Sequence, residues 1–314
     1  MSKKKTGLKL SKLKKVSLTK RKSKVKISDF ARPSARGDSF SKFYKSLPNV
    51  LAAADFKDVV SRIIKAKKQK KPLLFMMGAH VIKCGLNPLF IDLMKRGFIS
   101  AIALNGAGAI HDFELAFCGR TSEDVEASIK DGSFGMSKET SEFFNQAIDK
   151  AAISKSGLGE VIGKMILKQR LKFSSLSLLA NAARFKIPVT IHVAFGTDII
   201  HPHPGCNGAN LGQAAMTDFR RFTELVSGLN KGVVLNIGSA VIMPEVFLKA
   251  ISTVRNLGYK VDDFTAVCLD MIKHYRPLQN VVKRPTQGAG KGYYIIGHHE
   301  IMLPLLYRAL IEGV

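Results

Sequence analysis

The chain has 314 residues, 46% of them apolar, with 49 Lys and Arg against 24 Asp and Glu, a formal net charge of +25. That length and apolar share allow a sizeable buried core, so the composition points to a globular protein with a basic appendage. The longest apolar runs fall short of the ~20 residues that a membrane-spanning helix needs, which excludes membrane insertion.

Residues 1–26 hold twelve Lys and Arg and no acid. The start lacks the apolar core and small-residue cleavage site of a secretory signal, so a cytoplasmic location is expected. Residues 1–39 read as a basic tail, expected to be disordered, ahead of a single domain over 40–314. The lysine run is a candidate for weak contact with nucleic acid or an anionic surface. No aromatic residue interleaves with the lysines of 1–26 to stack on bases, which argues against specific recognition. Cys84, Cys118, Cys206 and Cys268 lie far apart without CxxC spacing, so they read as buried free thiols.

From residue 40 the pattern becomes regular. Helical spacing over 40–71 precedes a buried strand at 72–80, a helix at 87–97 with Pro near its start and Gly at its end, and a strand at 98–106. Thr121 with acids behind it predicts a helix over 121–132, and helical patterns continue at 138–154, 158–170 and 175–185. Strands at 187–197, 232–238, 264–270 and 292–297 then alternate with helices at 209–229, 244–258 and 298–313. This alternation predicts an α/β fold: a doubly wound, mostly parallel sheet, Rossmann-like, with helices on both faces.

In such sheets ligands bind beyond the carboxyl ends of the strands. Seven of the eight histidines fall there, at 80, 111, 201, 203, 274, 298 and 299. The turns "MGAH", "NGAGAIHD", "GTDIIHPHPGCNGANLG", "NIGSA" and "TQGAGKG" are expected there too, where amides at helix N-termini can hold an anion. Together they predict one shared cleft. The HxH pair His201 and His203, with Asp198, His111 and Asp112, could supply ligands to a metal, but no HExxH or paired-carboxylate signature accompanies them, and no metal is assigned.

The stretch "PLLFMMGAHVIKCGLNPLFIDLMKRGFISAIALNGAGAIHD" (72–112), with "NGANLG" (207–212), "LNIGSAV" (235–241), "RPTQGAGKG" (284–292) and "EIMLPLL" (300–306), resembles the deoxyhypusine synthase family over roughly 45–312. The resemblance implies an NAD-dependent transferase that oxidises an amine to an imine and passes the fragment through a lysine to an amine acceptor. It also implies a homotetramer with active sites at subunit interfaces. Carried across by motif, Gly78, Ala79, Asn105, Gly106, Ala107 and Gly238 would line NAD, and Lys291 would be the covalent relay. His111 and His274 are then candidate proton carriers, Asp112 an orienting carboxylate, and Asp198, His201 and Arg276 candidate substrate contacts.

The departures are specific. The chain has no Trp, Ile110 and His111 stand where the family has glutamates, and Met243 and Pro244 replace its lysine and histidine. The segment "KHYRPLQNVVKR" (273–284) is basic and would repel a polyamine, so the expected substrate is a small amine or amino-acid-like molecule other than spermidine. Two other readings remain: a metal-assisted enzyme on the same scaffold built on Asp198, His201 and His203, and a non-catalytic protein that binds through its basic tail.

Overall fold

A computed structural model describes residues 7–313; the first six residues of the basic tail lie outside it. Six strands, β1 (Leu73–Met77), β2 (Ala101–Asn105), β3 (Val189–His192), β4 (Val233–Ile237), β5 (Thr265–Asp270) and β6 (Lys291–Ile296), form one sheet in the order β3-β2-β1-β4-β5-β6. Every pairing is parallel. The order steps outward from β1 in one direction and then from β4 in the other, which is the doubly wound Rossmann arrangement and places a switch point between β1 and β4.

The helices in chain order are α1 (Phe40–Ser46), α2 (Leu51–Lys68), α3 (His80–Lys83), α4 (Asn87–Lys95), α5 (Gly106–Cys118), α6 (Val125–Ser128), α7 (Lys138–Ser154), α8 (Leu158–Lys168), α9 (Leu178–Arg184), α10 (Gly208–Ser227), α11 (Ile242–Asn256), α12 (Tyr275–Pro277) and α13 (His299–Glu312). A π-helical turn at Leu278–Lys283 follows α12. Strands buried on both faces read as continuous apolar runs, and β1 is buried at all five positions. Its alternate residues serve the two faces: Leu73, Phe75 and Met77 join the core that includes α2, α4, α5 and α13, and Leu74 and Met76 join the core of α10 and α11.

Two expectations change. The predicted helix over 121–132 shrinks to the single turn α6, capped by Asp124 rather than Thr121, because the flanking residues form a loop that roofs a pocket described below. The chain also joins the domain before residue 40: Arg32 N–H donates to the Ser46 carbonyl at 2.9 Å and Asn49 N–H to the Asp29 carbonyl at 2.8 Å. Residues 7–26 are exposed throughout. Among the described residues no helix is long and apolar enough to cross a membrane.

Candidate active site

The carboxyl edge of six strands is about 24 Å wide at normal strand spacing, so residues that follow different strands need not meet. The histidines follow the strands as expected, yet they divide into separate groups along that edge rather than sharing one cleft.

The group beyond β2 and β3 forms a pocket of about 200 Å³. Its walls include Lys83, Ala107, His111, Glu114, Glu123 and Asp198. His111 and Glu114 are one turn apart on α5 and face the same way. The Thr121 hydroxyl links them: it lies 2.6 Å from His111 Nδ1 and donates to the Glu114 carboxylate. Burial works to raise the Glu114 pKa, but the hydrogen bonds from His111 and Thr121 outweigh it and hold the carboxyl below its usual range. Glu114 is therefore a fixed negative charge beside the imidazole.

Asp198 lines the same pocket. It is 8% exposed and sits against the first turn of α5, near enough to the Ala107 amide to offset in part the effect of burial on its pKa. Gly106 makes this approach feasible, because a Cβ there would lie 1.9 Å from Asp198 Oδ2. Burial pushes the carboxyl up to about 6, and Oδ2 has no hydrogen-bond partner. An acid with a pKa near the working pH on the wall of a pocket can take up and return a proton. His201 shapes the loop that carries it: its Nδ1 accepts the backbone N–H groups of Gly196 and Asp198, both at 3.1 Å.

The other nominated residues lie elsewhere. Asp112 is fully buried, and its carboxylate accepts from Asn87 Nδ2 at 3.0 Å, Ser177 Oγ at 2.5 Å and the amides of Leu178 and Leu179 at 2.7 and 3.0 Å. It thus holds the N-terminus of α9, a structural task in place of the expected orienting role. His274 follows β5, three strand spacings or about 14 Å from β2 along the edge, and its Nε2 lies 4.0 Å from Asp270. Arg276 lies beside it, 3.5 Å from Glu245, so the basic segment does not line the pocket and does not set its charge.

Lys291 is the largest departure. It is the first residue of β6, at the amino edge of a parallel sheet, whereas the pocket lies at the carboxyl edge. Its ammonium is 2.6 Å from Asp58, its side chain is 52% exposed, and hydrogen bonds to Asp58 and Tyr293 raise its pKa. An imine-forming lysine needs a neutral amine. Within one chain, the expected relay is neither in the pocket nor deprotonated.

The expected cofactor turns are largely engaged by the chain itself. A Cβ on Gly78 would lie 2.1 Å from the Gly238 carbonyl oxygen, and one on Gly238 would lie 2.7 Å from His299 Cε1. Asn105 Oδ1 accepts the Gly108 amide at 2.9 Å, and Asp198 packs against Gly106. The strand order supplies a nucleotide crevice, but the first turn of α5 does not fit a diphosphate while Asp198 occupies it. The metal reading also fails to assemble: among the described residues Asp198, His201 and His203 do not bring their ligand atoms within 4.8 Å of one another.

No protein-family model and no curated protein matches the sequence. Solved structures do share the fold. Apo ArgZ, an arginine dihydrolase from the ornithine-ammonia cycle in cyanobacteria, aligns with a TM-score of 0.51 at 19% identity over 83% of this chain and 32% of its own. AgrE in ternary complex with ornithine and NAD+ aligns at 0.53 and 13% identity over 84% and 33%. A protein described as a deoxyhypusine synthase from Entamoeba histolytica aligns at 0.52 and 12% identity, over 88% of this chain and 94% of its own. The chain therefore spans about a third of ArgZ and AgrE, and at these identities the likeness is one of fold.

Proposed function

We propose that this chain is an enzyme of the deoxyhypusine synthase-like fold that acts on a small amine or amino-acid-like substrate held between Asp198 and the His111, Thr121 and Glu114 cluster. The observation that carries the reading is Asp198, a pocket-lining aspartate whose Oδ2 is buried without a hydrogen-bond partner. A buried polar atom without a partner costs stability, and a ligand that donates to it removes that cost.

The pocket selects by charge and size. Glu114, Glu123 and Asp198 outnumber Lys83 among its charged walls, which favours an ammonium group. A volume of about 200 Å³ lies below the ~300 to 1,000 Å³ of sites for drug-sized ligands, so the substrate is small. In this reading Asp198 accepts a proton from the substrate ammonium and frees its lone pair. His111, oriented by Thr121 and Glu114, moves a proton at the other end of the pocket.

Oxidation of the freed amine to an imine needs a hydride acceptor, which a nicotinamide dinucleotide supplies when bound. The strand order and the NAD+-bound AgrE neighbour support that cofactor; the occupied α5 turn opposes a diphosphate at Gly106 and Ala107. A thermal-shift panel of ornithine, arginine, simple diamines, matched carboxylic acids without an amine, and NAD+ tests the reading. Saturable stabilisation by at least one amine and by none of the amine-free acids is expected. Stabilisation by the acids alone would overturn it.

A further inference from the structure

We propose that His80, Cys84 and Glu300 form a binding site for a divalent transition ion of the zinc class, with one coordination position open to water or an exogenous ligand. Among the described residues this is the only group of three His, Cys, Asp or Glu side chains whose ligand atoms all lie within 4.8 Å of one another. It is separate from the pocket of Asp198 and His111.

The donor set is chemically selective. Imidazole nitrogen, thiolate sulfur and carboxylate oxygen together suit a borderline-soft ion such as zinc and disfavour magnesium or calcium, which take oxygen ligands. Three protein ligands with a fourth position free is the pattern of an open zinc site rather than a closed structural one. The geometry needs little movement: two ligand atoms on a tetrahedral zinc lie about 3.5 Å apart, from bond lengths of 2.0 to 2.3 Å, and Cys84 Sγ is already 3.8 Å from Glu300 Oε2.

Two elements bring the ligands together. His80 opens α3 and Cys84 caps its end, so they lie one helical turn apart. Glu300 stands in the first turn of α13. Its nearest basic partner is His298, whose Nδ1 lies 3.9 Å from Glu300 Oε1; no Lys or Arg forms an ion pair with Glu300 among the described residues. A carboxylate beside a thiol and an imidazole, unneutralised by a fixed cation, is a ready position for a metal ion. Such an ion would tie α3 to α13 and close the turn that follows β1.

The test is titration of full-length, tag-free, chelator-treated protein with Co(II). One equivalent is expected to bind with a sulfur-to-cobalt charge-transfer absorption that zinc abolishes. Cys84→Ser should remove the absorption, His80→Ala and Glu300→Gln should weaken binding tenfold or more, and Cys118→Ser should leave it intact. Absence of the band in the wild type, or its persistence in Cys84→Ser, would overturn the site. If Cys84→Ser fails to fold, alkylation of the wild type decides instead. Zinc should slow labelling of Cys84 several-fold and not that of Cys118, whereas equal rates with and without zinc would overturn it.

Discussion

At the scale of residues, the glycine-rich turn after β2 does two unlike things. Asn105 and Gly106 set the first turn of α5, where Asn105 caps it and Gly106 lets Asp198 lie against it. His111 then turns toward the pocket while Asp112, its neighbour in sequence, turns away into the core. Adjacent helical residues point about 100° apart and cannot share a face, whereas positions three apart can. In the sequence His111 reads as paired with Asp112, and Glu114 was missed, although the i, i+3 spacing on α5 could have found it. Asp198 was legible, from its place after a strand, but its raised pKa depends on burial that no spacing reveals. Gly106→Ala is expected to destabilise the fold by about 1 to 3 kcal/mol and to displace Asp198. Denaturant unfolding measures the first effect, and weakened amine binding the second.

Three buried aspartates also predict how stability varies with pH. Burial raises Asp112 and Asp198 to about 6 and Asp218 to about 7, from 3.8. Each binds its proton more tightly folded than unfolded, so its contribution to stability is full below about pH 4 and is lost as pH rises toward 6 or 7. Carboxyls held low by partners, such as Glu160 beside Lys164 and Arg221, act oppositely, and their contribution is lost only as pH falls below about 4.5. Unfolding free energy of Asp218→Asn measured from pH 4 to 8 should therefore fall less steeply than that of the wild type. An unchanged slope would show that Asp218 is not protonated in this range.

At the scale of elements, Asp112 and Asp218 do parallel work. Asp112 holds the N-terminus of α9, while Asp218, on α10, accepts the amides of Gly159 at the start of α8 and Ile191 in β3, at 3.1 and 2.9 Å. Each carboxylate meets helix amides where the helix dipole favours negative charge. Asp112→Ala would leave the Leu178 and Leu179 amides, the Ser177 hydroxyl and the Asn87 amide without their acceptor, at a cost of roughly 3 to 5 kcal/mol. The expected signature is a fall in Tm with amine affinity unchanged in the folded fraction. A selective loss of affinity at unchanged Tm would return Asp112 to the site.

Most helices and strands were legible because apolar periodicity and caps agree, as in α7, whose predicted bounds 138–154 match the structure. The loop from 121 to 136 was not. Its Thr121 and Glu123 resemble a capped helix start, yet tertiary contacts use them differently: Thr121 bonds His111 and Glu114, and Glu123 accepts the Gly135 amide at 3.0 Å. Local propensity cannot report partners that are distant in sequence.

At the scale of the whole molecule, the parallel sheet gives the chain two chemically different edges. The carboxyl edge carries Asp198, His111 and the His80, Cys84 and Glu300 group; the amino edge carries Lys291, Asp58, Arg62 and Tyr293, joined by hydrogen bonds. Lys291 directly precedes the strand expected at 292–297 and opens β6 in the structure, so its place at the amino edge of a parallel sheet was legible from chain order, and only its glycine turn and the family resemblance pointed to a role in the cleft. Residues 7–26 of the basic tail stay exposed. Removing residues 1–26 is expected to lower salt-sensitive retention on a polyanion column and leave amine binding intact. Retention that survives the deletion would place polyanion binding on the domain.

The central claim is that the pocket of Asp198 is the functional site and the edge of Lys291 is not. Calorimetric titration of the best amine from the panel into wild type, Asp198→Asn and Lys291→Ala measures this most directly. The account predicts affinity reduced tenfold or more in Asp198→Asn and unchanged within twofold in Lys291→Ala. Affinity retained by Asp198→Asn and lost by Lys291→Ala would contradict it.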